Sequence, residues 1–170
     1  MTPGEWLSGW NDWRQNGGPI YCSEYRRAFP LTEEMPDMIH RKADITLFPI
    51  SSTRLNVLEA LPILEAEDIL CNVVHLVWLK PFLIKPGLYE ALENSFRGGL
   101  VLDSDFENAA SKCIAYDIAQ NTSKKVRVLG LEERTAGFAA HLDNLPPTTD
   151  KIVSYVKTLI NKPPRQQRGF

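Results

Sequence analysis

The sequence predicts an α/β fold, a three-layer α/β/α arrangement around a mostly parallel (mixed) sheet of about five strands. Short apolar segments typical of buried strands alternate with helical segments four times along the chain. This alternation favours a parallel sheet with helices on both faces. The stretch 98–130 shows the unit most clearly: a strand after Gly98-Gly99, a helix to Gln120 and a strand before Gly130. Parallel strands require such a crossover.

The chain is predicted to begin with a helix over residues 3–16, for which Thr2 supplies a cap and Gly17 a stop. Residues 19–24 have the aromatic and β-branched content of a strand. The irregular stretch 25–37 is longer than a usual connection, so it marks a candidate domain boundary.

Three tryptophans share one stripe of the first helix, and the sequence leaves two interpretations open. They complete the local core, or they form an interface whose other half lies elsewhere. The three residues are Trp6, Trp10 and Trp13.

The next segments are predicted to start the central sheet. Residues 38–40 form a short edge strand, and residues 44–49 form a central strand that Pro49 ends, because proline cannot donate to a ladder. The polar residues 51–53 offer caps for the following helix, which Pro62 should kink.

Strands and helices continue to alternate in the second half of the chain. Residues 71–77 are predicted as a strand, 78–82 as a turn and 86–96 as a short helix. The strand 100–102 is followed by Asp103, Ser104 and Asp105, residue types that cap helices and form turns.

The C-terminal part is predicted to contain one more strand and one more helix. The strand covers residues 126–129, and the stretch 131–147 shows little periodicity. Residues 148–150 cap the last helix, and residues 163–170 are predicted to be disordered. The inner stripe of that helix consists of Ile152, Val153, Val156, Leu159 and Ile160.

Composition excludes several classes of function. The chain has 170 residues, enough for one domain, and its formal net charge of −2 predicts no broad basic surface for nucleic acid. No signal peptide and no run of about 20 apolar residues is present, so we expect no membrane partner and a cytoplasmic location. Cys22, Cys71 and Cys113 are odd in number and lie in apolar runs, which predicts reduced, buried thiols without a disulfide or zinc site.

One acidic group is a candidate site. Asp103, Asp105 and Glu107 alternate at the carboxyl end of a predicted central strand, where open α/β sheets bind ligands. Such carboxylates either hold magnesium and act as acid and base, or simply favour a solvated helix start. His75 lies in an apolar strand and is predicted to be a core histidine, and His40 and His141 show no triad pattern.

The order of these segments resembles the C-terminal part of the thiamine-diphosphate-dependent transketolase-like enzymes. It is most similar to the β subunits of 2-oxo acid dehydrogenase E1 components. The matching segments, in the family's order, are 19–29, 43–47, 71–82, 100–107, 126–131 and 145–152.

The resemblance implies a division of the chain. Residues 1–37 would be the end of an upstream pyrimidine-binding domain plus a linker, residues 38–162 the C-terminal α/β domain, and residues 163–170 a tail. The chain would then be a fragment or a split subunit of an oxidoreductase or transferase. It would serve as a scaffold and subunit-interface domain without catalytic, cofactor-binding or metal-binding residues of its own.

The resemblance also implies partners and cofactors. Thiamine diphosphate and magnesium would bind to other domains of the complete enzyme. Partners would be those upstream domains or a partner subunit, in a homo- or hetero-oligomer. Arg134, Phe138 and His141 match a neighbourhood that lies near subunit contacts in the family. The alternative is a free-standing small α/β enzyme that uses a magnesium-binding cluster of Asp103, Asp105 and Glu107.

Overall fold

The computed structural model describes residues 1–24, 32–82 and 86–161. Within these ranges the helices and strands alternate as predicted. In chain order they are α1 (Pro3–Asn16), β1 (Ile45–Pro49), α2 (Thr53–Glu65), β2 (Cys71–Val73), α3 (Pro86–Glu93), β3 (Gly99–Phe106), α4 (Ala110–Gln120), β4 (Val126–Leu131) and α5 (Thr149–Asn161), with a short 3₁₀ turn at Ala140–Leu142.

The strands form one parallel sheet in the order β2-β1-β3-β4. The predicted α/β class is therefore confirmed, and the described residues form four strands where the sequence predicted about five. The predicted edge strand 38–40 is reduced to a single antiparallel bridge between Met38 and Val73. The Thr46 backbone pairs with Asn72 on one side and Gly99 on the other, so β1 is a central strand.

Alternate residues of β1 face opposite sides of the sheet, as strand geometry requires. Ile45 and Leu47 pack in one apolar layer with residues of α2 and α5. Phe48 and Ile50 pack in the second layer with residues of α3 and α4. The helices thus cover both faces, which confirms the three-layer arrangement. The inner stripe of α5 is confirmed for four buried residues: Ile152, Val153, Val156 and Leu159.

The unit β3–α4–β4 confirms the predicted crossover but corrects its details. β3 continues through Asp103 and Asp105 to Phe106, so these residues extend the strand and do not cap α4. The pairing of β3 with β4 continues past a register shift to Phe106 and Leu131. This pairing with a distant strand keeps the chain extended where the local sequence predicted a helix cap. The residue before α4 is Ala109, which makes no side-chain cap hydrogen bond.

The N-terminal helix is confirmed with its caps. Thr2 and Glu5 form a reciprocal capping box, and Gly17 ends α1 in the left-handed conformation. The strand predicted over residues 19–24 is wrong, because these residues form no strand. Tyr21 is 92% exposed there, and among the described residues no strand lies beside the segment to pair with it, although it has the composition of a strand.

Several other boundaries differ from the predictions. α2 begins without a side-chain hydrogen bond from Ser52, and the Thr53 hydroxyl instead donates to the Leu102 carbonyl of β3. Pro62 lies inside α2, which continues to Glu65. β2 ends at Val73, and α3 ends at Glu93, before the predicted residue 96.

The cysteine prediction is confirmed for one residue and wrong for two. Cys71 is buried in β2, whereas Cys22 and Cys113 are exposed. Cys113 lies on the outer side of α4, where the apolar run of the sequence did not correspond to burial. No helix among the described residues is long and apolar enough to cross a membrane. The predicted disordered tail, residues 163–170, and part of the predicted linker lie outside the described residues.

The turn before β3 should depend on glycine. Gly98 has φ +80°, and a Cβ there would lie 2.1 Å from the Lys125 carbonyl oxygen. We expect Gly98→Ala to lower the free energy of unfolding by more than about 2 kcal/mol, because strain and a backbone clash add. Chemical denaturation measures the loss. Gly18→Ala is the matched control, since its Cβ would meet nothing within 4 Å; equal stability losses in the two variants would contradict this account.

Candidate functional site

A cavity of about 630 Å³ opens at the carboxyl ends of the parallel strands. Its walls come from the residues that follow β1 and β2, from the end of β3, and from α1 with the segment 19–23. The polar and aromatic residues of its lining include Asp12, Arg54, Trp78, Lys80 and Asp103.

The cavity lies at the point where the strand order reverses, between β1 and β3. β1 is followed by α2 on one face and continues to β2, whereas β3 lies on the other side of β1 and is followed by α4 on the opposite face. The loops after β1 and β3 therefore separate and leave a crevice between them. Open α/β sheets bind ligands at such a point.

A buried guanidinium group connects the cavity wall to α1. Arg54, in the first turn of α2, is only 5% exposed. Its Nη1 donates to Glu5 Oε2 at 2.9 Å and its Nη2 donates to Glu5 Oε1, so the pair is bidentate. Its Nε donates to His75 Nδ1 at 3.3 Å. This network holds α1 over the carboxyl edge of the sheet, and it confirms His75 as a buried, hydrogen-bonded core residue.

The environment of Glu5 favours its ionised form. Burial by itself raises the pKa of Glu5, but the hydrogen bond from Arg54 and the backbone N–H of Thr2 outweigh it and lower the pKa below its usual value. This pair is not among the contacts that the sequence predicts, because 49 positions separate its members. One signal was present: a cation in the first turn of a helix is unfavourable to the helix dipole unless a carboxylate compensates.

The three candidate carboxylates do not form one group. Asp103 is 6% exposed and lines the cavity. Asp105 is exposed and accepts a hydrogen bond from the Phe106 N–H at 2.8 Å, and Glu107 accepts from the Gly130 N–H at 3.2 Å. Within the described ranges no group of three or more His, Cys, Asp or Glu side chains could hold a metal ion. The structure thus gives no support to the magnesium cluster of the alternative interpretation.

Asp103 alone of these carboxylates is buried in the cavity wall. Burial raises its pKa, and the backbone hydrogen bonds from Asp105 and Ser104 only partly offset that effect. The Asp105 N–H lies 3.3 Å from Asp103 Oδ1. A buried carboxyl of this kind can accept hydrogen bonds from a ligand or exchange a proton with it.

The tryptophans of α1 remain largely exposed. Trp6, Trp10 and Trp13 are 44%, 59% and 43% exposed, and the neighbouring Leu7 is 64% exposed. The rings of Trp10 and Trp13 contact each other with centroids 5.0 Å apart. In this chain they do not complete a local core. We call these four residues the tryptophan surface.

The other predicted interface residues lie in the segment after β4. Arg134 donates to the carbonyls of Leu142 and Asp143, at 2.8 and 2.7 Å, and so closes the loop. Phe138 and His141 are exposed on the same loop. All three residues belong to the segment between β4 and α5, where the Arg134 side chain serves the loop structure, and their role at an interface stays a prediction.

Two solved structures share the fold. A split-gene transketolase, an inactive β4 tetramer, matches with a TM-score of 0.59 and 20% identity over 70% of this chain and 39% of that chain. The 2-oxoglutarate:ferredoxin oxidoreductase from Magnetococcus marinus, with 2-oxoglutarate, coenzyme A and succinyl-CoA bound, matches with a TM-score of 0.52 and 24% identity over 72% of this chain and 19% of that chain. No protein-family model and no curated protein matches the sequence.

These likenesses confirm the predicted fold, that of a transketolase-like C-terminal domain. The chain spans less than half the length of either structure. At this level of identity the likeness concerns the fold alone, and the specific relation to 2-oxo acid dehydrogenase E1 β subunits stays a prediction.

The ion pair between α1 and α2 generates a prediction about pH. Glu5→Gln keeps an acceptor for the capping box but removes the charge facing Arg54. We expect the free energy for local opening of α1 to fall by about 2 kcal/mol at pH 7. The measurement is amide hydrogen exchange, which should become faster in residues 3–16.

The pH dependence follows from the lowered pKa. The stabilisation by Glu5 is complete above its ordinary pKa of 4.5 and is lost as the pH falls through the lower value of the folded chain. The Gln variant should lack this step. Glu132→Gln is the control, because it removes an exposed pair with Arg134 and should leave α1 unchanged. If the amides of α1 exchange equally slowly in the Glu5→Gln variant and in the unaltered chain, the proposed role of the ion pair is contradicted.

Proposed function

We propose that this chain is a C-terminal scaffold and subunit-interface domain of a thiamine-diphosphate-dependent enzyme of the 2-oxo acid dehydrogenase or transketolase type. The chain is a fragment or a split subunit and is not catalytic alone. The tryptophan surface is the observation that carries this proposal, and the fold and the partial length of the chain support it.

The tryptophan surface has the properties of an interface. Large aromatic side chains contribute most to binding energy when a partner covers them, and contiguous exposed apolar patches mark interaction sites. The patch is also held in a fixed position, because Glu5 on the same helix is paired with the buried Arg54. A preorganised patch loses little conformational entropy on binding.

The covering partner is an upstream pyrimidine-binding domain or another subunit of the same enzyme. The transketolase neighbour is a split-gene protein whose β chains form a tetramer, which is a precedent for an incomplete chain that associates. Phe138 and His141 supply a second exposed contact region on the loop after β4. With the tryptophan surface and this loop as two contact regions on one domain, the chain would form a homo- or hetero-oligomer.

In this proposal the chemistry belongs to residues outside the chain. Thiamine diphosphate and magnesium would bind to the other domains of the complete enzyme. The chain itself would bury surface between subunits and hold those domains in place.

Association should depend on the tryptophan surface. We expect the purified chain to form concentration-dependent oligomers in light scattering coupled to size exclusion, with a mass above 19.2 kDa. Trp10→Ser should shift the chain toward the monomer, since it removes the most exposed ring of the patch. Tyr116→Ser is the matched control, because Tyr116 is an aromatic residue on α4 with 62% exposure. A monomer at all concentrations, or equal effects of the two variants, would contradict the interface role.

The proposal that the cofactor binds to other domains gives a second prediction. Calorimetric titration of the chain with thiamine diphosphate plus magnesium should show no saturable heat. Titration with magnesium alone is the control, because saturable binding that Asp105→Asn abolishes would instead favour the free-standing enzyme. Tight binding of thiamine diphosphate to the chain would refute the proposal that the cofactor site lies elsewhere.

A further inference from the structure

We propose that the cavity at the carboxyl edge of the sheet binds a small organic ammonium compound, with Asp103 as the group that receives the ammonium and Trp78 as part of the wall for its apolar body. This goes beyond the scaffold role above. The cavity is built from one chain, so the inference does not depend on association.

The size and position of the cavity are those of a ligand site. Its volume of about 630 Å³ falls within the range of roughly 300–1,000 Å³ that is usual for small-molecule sites. It lies at the point between β1 and β3 where the strand order reverses, and ligands of open α/β sheets bind there. α1 forms one wall through Gly9 and Asp12, and the pair of Glu5 with Arg54 holds that wall in place.

Apolar groups make up much of the lining. They include side chains from the residue after β1, the first turn of α2 and the segment after β2. The set is Ile50, Leu55, Leu76, Val77, Trp78 and Pro81. Such a wall suits a ligand with an apolar or aromatic body, and the indole ring can also attract a cation across its face.

The charges in the lining favour a cation. Asp12, Asp103 and Asp105 are acidic, whereas the basic side chains are Arg54 and Lys80. Arg54 is already neutralised by Glu5 in a bidentate pair. The remaining charge is therefore negative, which opposes the binding of carboxylates and phosphates and favours an ammonium group.

Asp103 is the carboxylate best placed to select that group. It is 6% exposed, so a ligand bound to it would be largely shielded from water. Its carboxylate accepts from the Asp105 and Ser104 N–H groups and from the Ser111 hydroxyl, and its two oxygens have capacity for a further donor. Burial raises the pKa of Asp103, so the hydrogen bonds from within the chain do not fully offset the cost of burying its charge. An ammonium ion would supply both the counter-charge and the donors.

The test compares three probes of the same shape and different charge. Phenethylammonium, 2-phenylethanol and 3-phenylpropionate are titrated at pH 7 into the ¹⁵N-labelled chain, and the amide shifts of Ser104 and the indole shift of Trp78 are followed. We expect saturable binding of phenethylammonium, about tenfold weaker binding of the alcohol, and no saturable binding of the carboxylate.

Two variants test whether Asp103 is the carboxylate that binds the ammonium group. Asp103→Asn should weaken phenethylammonium binding about tenfold while leaving the alcohol unaffected. Asp117→Asn is the matched control, because Asp117 lies on the exposed side of α4 and does not line the cavity. Asp103→Asn should melt at no lower temperature than the unaltered chain, since it replaces a carboxylate whose ionisation burial opposes.

Three results would overturn the proposal: no saturable shift with phenethylammonium, equal binding of the three probes, or binding that Asp103→Asn leaves unchanged. If Asp103→Asn does not fold, the relative affinities of the three probes for the unaltered chain still test the proposal. Failure here leaves the scaffold proposal intact, because that proposal is judged by association in light scattering and not by shifts of cavity residues.

Discussion

The buried guanidinium of Arg54 is the constraint on which the arrangement around the sheet edge depends. A charge that is 95% removed from solvent must be paired and hydrogen-bonded, because leaving it alone would cost several kcal/mol. Glu5 supplies the carboxylate and His75 the remaining acceptor. Since Glu5 lies in the first turn of α1, pairing places that helix against the carboxyl edge. The position of the cavity wall and the outward direction of the tryptophan surface both follow from it.

The sheet beneath this network obeys a second constraint, the alternation of side chains in strands buried on both faces. Leu47 faces the layer of α2 and α5, and the next residue, Phe48, faces the layer of α3 and α4. With helices on both faces the order in which strands are added must reverse somewhere along the sheet, and it does so between β1 and β3. Asp103 ends up in the crevice because it lies near the carboxyl end of β3 at that reversal.

Local patterns were sufficient to predict the elements that local energetics determine. The Thr2 cap of α1 and the inner stripe of α5 involve residues a few positions apart, and both are present. Predictions failed where the deciding partner is distant in sequence. Residues 19–24 have strand composition without a neighbouring strand, and Asp103 continues a strand because β4 pairs with it. The pair of Glu5 with Arg54 joins α1 to α2 across 49 positions, so the local pattern around Arg54 could indicate the need for a carboxylate but not which one supplies it.

The fold and the site carry different kinds of information about function. The likeness to transketolase and oxidoreductase structures concerns the backbone arrangement, which many unrelated chemistries share. The oxidoreductase binds 2-oxoglutarate, a dianion, whereas the cavity in this chain is lined by three acidic side chains against Lys80 and an Arg54 that Glu5 already neutralises. This net negative charge opposes the binding of anions. Any ligand of this chain must therefore be identified from the charge and burial of Asp103 and its neighbours, while the fold accounts only for where that site lies.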